Sequence, residues 1–354
     1  MKLKKQLSLL LCGAMMVSAL AGCGNGGSSS SASGSDSASG SQSSSSVGDT
    51  SQSDAYTLPN IMVLSGPTGV GAAKLMADNE AAEFYDKVAA SATVEADNQA
   101  VSSALINGDA DIAAVATNVA ATLVNKNPES IQVLAVNTLG VLYILEKGDT
   151  VTSMADLAGK TVYATGEGAN PEYILNYLLT ENGVDPAQVD IQWRTADEIT
   201  TLMVSGEAEL CMLPVPAATA VQLQNPDVRE ALDLSAEWDA LQNGSRLTMT
   251  VLVARTEYIE ENPDTVAAFL ADYQEAVDYV TGQPAEAAQV VAELGITPNA
   301  KIAEAAIPKC ALVCVTGASE MRGAIQGYYE VLYQANPDSI GGIMPDDPFY
   351  YEVE

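Results

Sequence analysis

Residues 63–76 read VLSGPTGVGAAKLM. The apolar run that starts at residue 58 ends on Val63 and Leu64, glycines and a proline follow, and from Ala72 the composition turns helical. This is the pattern of a strand, a glycine-rich turn and a helix over 72–76. Gly66 and Gly71 are separated by four residues, as in a nucleotide-binding loop. Such a loop then needs Lys followed by Ser or Thr, to reach phosphate and magnesium. Ala72 and Ala73 stand there and Lys74 comes two residues late, so an ATPase reading fails.

The same strand-turn-helix unit recurs along the chain. Strands are expected at 92–95, 112–116 and 131–137, with helices over 100–107, where Gly108 stops the helix, and over 119–125. Residues 142–148 read as the exit from this first sheet, because SMADLAGK at 153–160 opens a second series. That series has a strand at 161–164, the turn TGEGANPE at 165–172 and a helix over 173–181. A strand at 189–193, a helix over 197–205 and a strand at 210–213 running into Pro214-Val-Pro216 complete it. A long apolar strand at 247–254 and an amphipathic helix over 263–280 follow. The tail from 285 is helical in its middle and rich in Pro, Gly and Tyr at its end.

Alternation of short β-branched runs with helices predicts an α/β protein of two doubly wound lobes joined by two crossover strands, the second lobe inserted into the first. The expected division is 56–146 with 248–354 for one lobe and 147–247 for the other. Ligands of open α/β sheets lie beyond the carboxyl ends of parallel strands, where helix N-termini offer free N–H groups. Two such lobes can close on a small molecule by hinge motion.

The N-terminus has Lys2, Lys4 and Lys5, an apolar stretch over 7–17 and then small residues. That stretch is too short to span a bilayer and reads as a secretory signal, residues 1–22. Leu20-Ala21-Gly22-Cys23 resembles the lipobox of bacterial lipoproteins, in which the Cys thiol takes a diacylglycerol; Cys23 would become the lipidated, fatty-acylated first residue. Two acyl chains would anchor it stably on the extracytoplasmic face of the cell membrane. Between residues 28 and 53, 15 of 26 residues are Ser, which predicts a solvated tether over 23–55.

The chain has 354 residues and a formal charge of −31. Without the three signal lysines 12 basic residues face 46 acidic ones. That field repels nucleic acid and favours solubility, and it leans toward a neutral, zwitterionic or cationic ligand. There is no histidine, which removes Ser-His-Asp and Cys-His catalysis and the commonest transition-metal ligand. Cys211, Cys310 and Cys314 form no paired CxxC set, so no metal site and no cofactor is expected, and they read as small buried apolar residues. Cys310 and Cys314 are too far apart for a disulfide on a strand, though not on a helix. Trp193 and Trp238 either stack on a flat ligand or belong to the core.

SMADLAGK at 153–160 with GEGANPE at 166–172, NGDADIAAV at 107–115, LPVPA at 213–217 and IGGIMPDDPFYY at 340–351 together resemble one family. It is the substrate-binding proteins of ABC importers in the nitrate, sulfonate, taurine and thiamine-precursor group, called NMT1/THI5-like, and the resemblance covers the body from Leu58 onward. It implies a type II periplasmic-binding-protein-like fold and a non-enzymatic role: capture of a small organic solute, such as a thiamine-precursor pyrimidine, a sulfonate or a related heterocycle, and delivery to a membrane permease driven by a separate ATPase. It implies a cleft lined by Ser65, Gly66, Pro67, Thr68, Gly69, Asn98, Thr117, Asn118, Thr138, Gly166, Glu167, Gly168, Ala169, Asn170, Pro214 and Pro216. Each also has a structural explanation: Gly66, Gly69, Gly166 and Gly168 as turn residues with positive φ, Thr117 and Asn118 as helix caps, the two prolines as strand ends. Arg194, after the strand at 189–193, is the basic residue placed to meet an anionic group. Leu213 stands where the family often has an acidic residue, which loosens any transfer of a known ligand. A non-transport surface lipoprotein, or a precursor synthase on the same fold, is the alternative; synthases of this kind depend on His and a Cys-rich motif, and this chain has neither.

Overall fold

The computed structural model describes residues 57–83 and 86–352. The signal segment, Cys23 and the tether lie outside the described residues. Strands β1 (Asn60–Leu64), β2 (Ser91–Glu95), β3 (Ile112–Ala116) and β4 (Ile131–Leu139) begin one sheet. The chain then builds a second from β5 (Leu142–Lys147), β6 (Thr161–Ala164), β7 (Asp190–Trp193), β8 (Leu210–Pro214) and β9 (Val228–Asp233). It returns to the first with β10 (Thr248–Arg255) and β11 (Leu312–Val315).

The strand orders are β2-β1-β3-β10-β4-β11 and β7-β6-β8-β5-β9. In each sheet three parallel strands are followed by one antiparallel strand that has just arrived from the other sheet: β10 beside β3, and β5 beside β8. This is the two-lobed α/β architecture expected from the alternating pattern, with one repeated order in both lobes. The outward crossing is two residues, Gly140 and Val141. A Cβ on Gly140 would lie 2.1 Å from the Ser235 Oγ, so only glycine fits where the chain passes between lobes.

Central strands read as continuous apolar runs because both faces are covered. All five residues of β3, IAAVA, are buried. On one face of the first sheet Ile112, Leu134 and Leu252 meet Phe269 and Tyr273 of the helix Pro263–Gly282. The core of the other face continues without interruption into the second sheet through Val115, Val136, Leu142 and Met212.

Three features differ from the sequence reading. Residues 142–147 form β5, so the second sheet starts at Leu142, ahead of the boundary expected at 147. Strands β9 and β11 were not expected: VREALD has polar residues at half its positions, and β11 follows Ala311, which takes a left-handed φ of 45°. The first helix runs Pro67–Ala81, so the turn shrinks to Ser65 and Gly66. Gly69 and Gly71 are helical and serve close packing. A Cβ at 69 would sit 3.1 Å from the Leu64 carbonyl, and one at 71 would sit 3.1 Å from the Tyr273 hydroxyl. Positive φ belongs to Gly66, Gly166 and Gly168 but not to Gly69.

Glu146 is the buried carboxylate that ties β5 to its surroundings. It accepts from the Thr150 and Val151 N–H groups, the Thr150 hydroxyl and the Arg229 guanidinium. Burial alone would raise its pKa, but these bonds outweigh it and hold the group below the usual carboxylate range. A depressed folded-state pKa gives stability that is full above the unfolded value and lost as pH falls through the folded one. Glu146→Ala leaves the Arg229 charge and two N–H groups without their partner. It should cost about 3 kcal/mol at pH 7, the low end for a broken buried pair because Arg229 is partly exposed. Urea unfolding at pH 7 and below pH 4.5 checks both points: the variant should lose part of the acid-dependent loss seen in the wild type.

Candidate functional site

Each parallel strand runs into a helix. The helices after the outer strands are capped by their own side chains. Asp97 accepts from the Gln99 and Ala100 N–H groups at 2.8 and 2.9 Å, at the start of Asn98–Asn107. Thr195 and Glu198 form a reciprocal capping box at the start of Ala196–Ser205. The inner helices Pro67–Ala81, Thr117–Lys126, Asn170–Glu181 and Ala217–Gln224 begin at Gly66, Ala116, Ala169 and Pro216, none of which supplies a side-chain cap. Two inner helices per lobe therefore keep N–H groups for an outside acceptor, at the positive end of the helix dipole.

These starts meet at the seam between the sheets. Gly66, with φ 106°, faces the Val215 carbonyl, which lies 3.9 Å from where a Cβ would stand. The Asn118 N–H donates to the Asn170 Oδ1 at 3.3 Å, so Asn170 of the second lobe caps the helix Thr117–Lys126 of the first. The Asn170 Nδ2 donates in turn to the Met249 carbonyl at the start of β10. Asn170 is fully buried by these contacts.

The expected residues divide by what their polar atoms already do. Residues 66 and 215, and Asn118 and Asn170, are brought together across the seam. The Thr117 hydroxyl donates to the Thr248 carbonyl, and its own carbonyl accepts from Tyr329 Oη, both at 2.7 Å. The Asn98 Oδ1 accepts from the Ala116 N–H at 2.9 Å, and Thr68 donates to the Leu64 carbonyl. Gly166 has a φ of 91°, and a Cβ there would collide with Pro171 at 2.4 Å. The Gly168 N–H is held by Glu172; Ser65, Glu167 and Gly168 are exposed, and Pro67, Pro214 and Pro216 flank helix starts. Arg194 is exposed just after edge strand β7 and donates to the carbonyl of Trp193. Trp238 is fully buried between Tyr177 and Tyr328, a core residue.

Buried atoms without a partner mark what the sequence left open. The Asn118 Oδ1, Thr138 Oγ1 and Thr219 Oγ1 are such atoms, each on a residue at most 5% exposed. Thr219 went unnoticed in the sequence; its signal was its place three residues after Pro216, in the first turn of an uncapped helix. Burial pushes the Cys310 thiol up to about 12 and the Cys314 thiol to about 11, and raises Cys211 as well, so these sulfurs stay protonated and act as apolar fillers. A hollow of about 470 Å³ lies at the other end of the second sheet, beside Lys147, Lys160 and Leu210. Its one buried carboxylate, Glu146, is already saturated, and the helix starts are elsewhere.

A sequence model of the family described as NMT1/THI5 like matches residues 95–287. The chain belongs to that family. Among curated proteins, a putative binding protein of Brucella abortus (strain 2308) is 22% identical over 162 residues, which is 46% of this NMT1/THI5-like chain and 49% of the relative. The chain thus matches about half the length of that relative. Among solved structures, an ABC transporter protein from Parabacteroides distasonis is 23% identical with a TM-score of 0.70, covering 84% of this chain and 100% of that one. The periplasmic aliphatic sulphonate binding protein of Escherichia coli gives 17% and 0.64, covering 80% and 94%. The alkanesulfonate-binding protein of Xanthomonas axonopodis pv. citri bound to MOPS gives 13% and 0.63, covering 83% and 97%. These likenesses establish the periplasmic-binding-protein fold of the NMT1/THI5-like chain.

Asn170→Ala removes the cross-lobe cap and leaves a buried N–H and a buried carbonyl unpaired. It should cost about 1–3 kcal/mol, read as a lower urea midpoint at unchanged slope.

Proposed function

We propose that this chain is the solute-binding component of an ABC importer, lipid-anchored through Cys23 on the extracytoplasmic face, and that it captures a small organic solute between its lobes for a membrane permease and a separate ATPase. The observation that carries this reading is the set of four helix starts, two from each lobe, that lack a cap from their own N-cap residue and meet at one seam, one of them already met by Asn170 from across it. Such an arrangement offers backbone donors from both sides, and its hydroxyls have no histidine base to activate them, which suits holding a molecule rather than transforming it. Binding favours the closed arrangement because only there do both lobes reach the solute.

The same geometry narrows the solute. Donors without a cationic side chain fit a compact acceptor group, a sulfonate or carboxylate oxygen or a heterocycle carbonyl, better than a cation. The neighbours named for aliphatic sulphonate and alkanesulfonate support the first of these. Ser65, the 66–69 segment, Thr138, Thr219 and the 166–170 turn are the proposed contacts, with Arg194, just after the edge strand β7, set apart from them. The proposed lobes are those built on the two sheets.

Thermal unfolding of the purified full-length protein against alkanesulfonates, pyrimidines and short carboxylates tests this. A true solute at about a hundred times its Kd should add about 2.7 kcal/mol of stability. Mass spectrometry of the same mixtures should recover it unchanged. Indifference to every set, or conversion of the compound, would overturn the reading.

A further inference from the structure

The two lobes carry charge of the same sign. Residues 142–247 hold five basic and 17 acidic side chains, and residues 57–141 with 248–354 hold seven and 26. Bringing such bodies together is opposed by their mutual field, and a cation placed between them offsets it locally.

Lys309 stands where that offset is needed. It ends the short turn Ile307–Lys309, which follows the helix Ala300–Ala306 and precedes β11 of the first sheet. Its ammonium crosses to the second sheet, where it lies 2.8 Å from the Glu230 carboxylate on β9 and 5.3 Å from the centre of the Tyr143 ring on β5. The corner it enters is negative. Asp233 and Glu230 both act on Tyr143, whose phenol burial and these charges push up to about 12. The other ion pairs among the described residues, Lys74–Asp78, Arg229–Glu146, Arg255–Asp111, Arg255–Glu257 and Arg322–Asp347, each join residues of one lobe. Lys309–Glu230 joins the two.

We propose that Lys309 is a positioning residue for solute capture: its ammonium, set between Glu230 and the face of Tyr143, is the charge that lets two like-charged lobes close. The proposal rests on the reading that closure is how this body holds its solute. Lys309 touches no solute in this account; it raises the closed fraction, and apparent affinity scales with that fraction. A half-exposed ion pair with a cation–π contact is a modest clasp, worth about two- to fivefold in the closed population.

Salt separates this role from a packing role. From about 0.01 M to about 1 M salt the Debye length falls from about 30 to about 3 Å, which screens the repulsion between lobes and the clasp together. Small-angle scattering of the purified, solute-free full-length protein reads the closed fraction, so the outcome does not depend on finding the solute. Lys309→Met keeps most of the apolar stem. It should give a larger radius of gyration than wild type at low salt, and the difference should shrink toward zero at high salt. The exchange Lys309→Glu with Glu230→Lys should restore the wild-type radius, and unchanged thermal unfolding of each variant shows that it folds. Equal radii at low salt, a difference that persists at every salt concentration, or failure of the charge exchange to restore closure would each overturn the assignment. Failure of the solute screen with the scattering result intact would instead leave the clasp standing and count against the transport reading.

Discussion

Each sheet of this protein is finished by a strand that the other half of the chain delivers. β5 enters the second sheet immediately after the chain leaves β4, and β10 enters the first as soon as it returns. Both are inserted antiparallel beside the last parallel strand, so the second sheet needs the outward crossing for its hydrogen-bond ladder and the first sheet needs the return as well. This reciprocal insertion fixes where everything else lies. It sets the carboxyl ends of β1 and β3 against those of β6 and β8, and with them the four uncapped helix starts. Gly140 shows how tight the constraint is, since one added methyl group there would meet Ser235.

The capping pattern divides the labour within each lobe. The outer helices carry their own caps in Asp97 and in the Thr195–Glu198 box, and their N-termini ask nothing of the seam. The inner helices leave theirs to be satisfied from across it, and Asn170 already does so for one of them. A change at Asp97 or Thr195 acts within one lobe, whereas a change at Gly66 or Asn170 acts where the lobes meet, and at Asn170 on stability as well.

The frame was legible in the sequence where local and tertiary signals agree. The apolar runs at 112–116 and 210–213, the stop at Gly108 and the second series after SMADLAGK all announced themselves by period and by cap. Strands β5 and β9 did not, because they are chosen by what they pair with: LYILEK reads equally as an exit segment, and VREALD has too few β-branched residues to declare a strand. GPTGVG misled in an instructive way. Its glycines suggested a loop, yet two of the three lie in a helix, where the absence of a side chain lets Leu312, Tyr273 and the Leu64 carbonyl approach. The gathering of residues at the seam was readable as a set of turns, but the partner of each polar atom was not. Asn98 and Thr117 turn out to be bound to backbone, and nothing in their spacing from the chain's other residues distinguishes a cap from a contact.

The uncapped helix starts have one more consequence. Backbone N–H groups do not titrate in water at any ordinary acidity, and the chain has no histidine to stand beside them. Whatever these donors hold, their grip has no pKa of its own. A change of binding with acidity must then come from the bound group or from the lobes around it, and the donors themselves present one constant face.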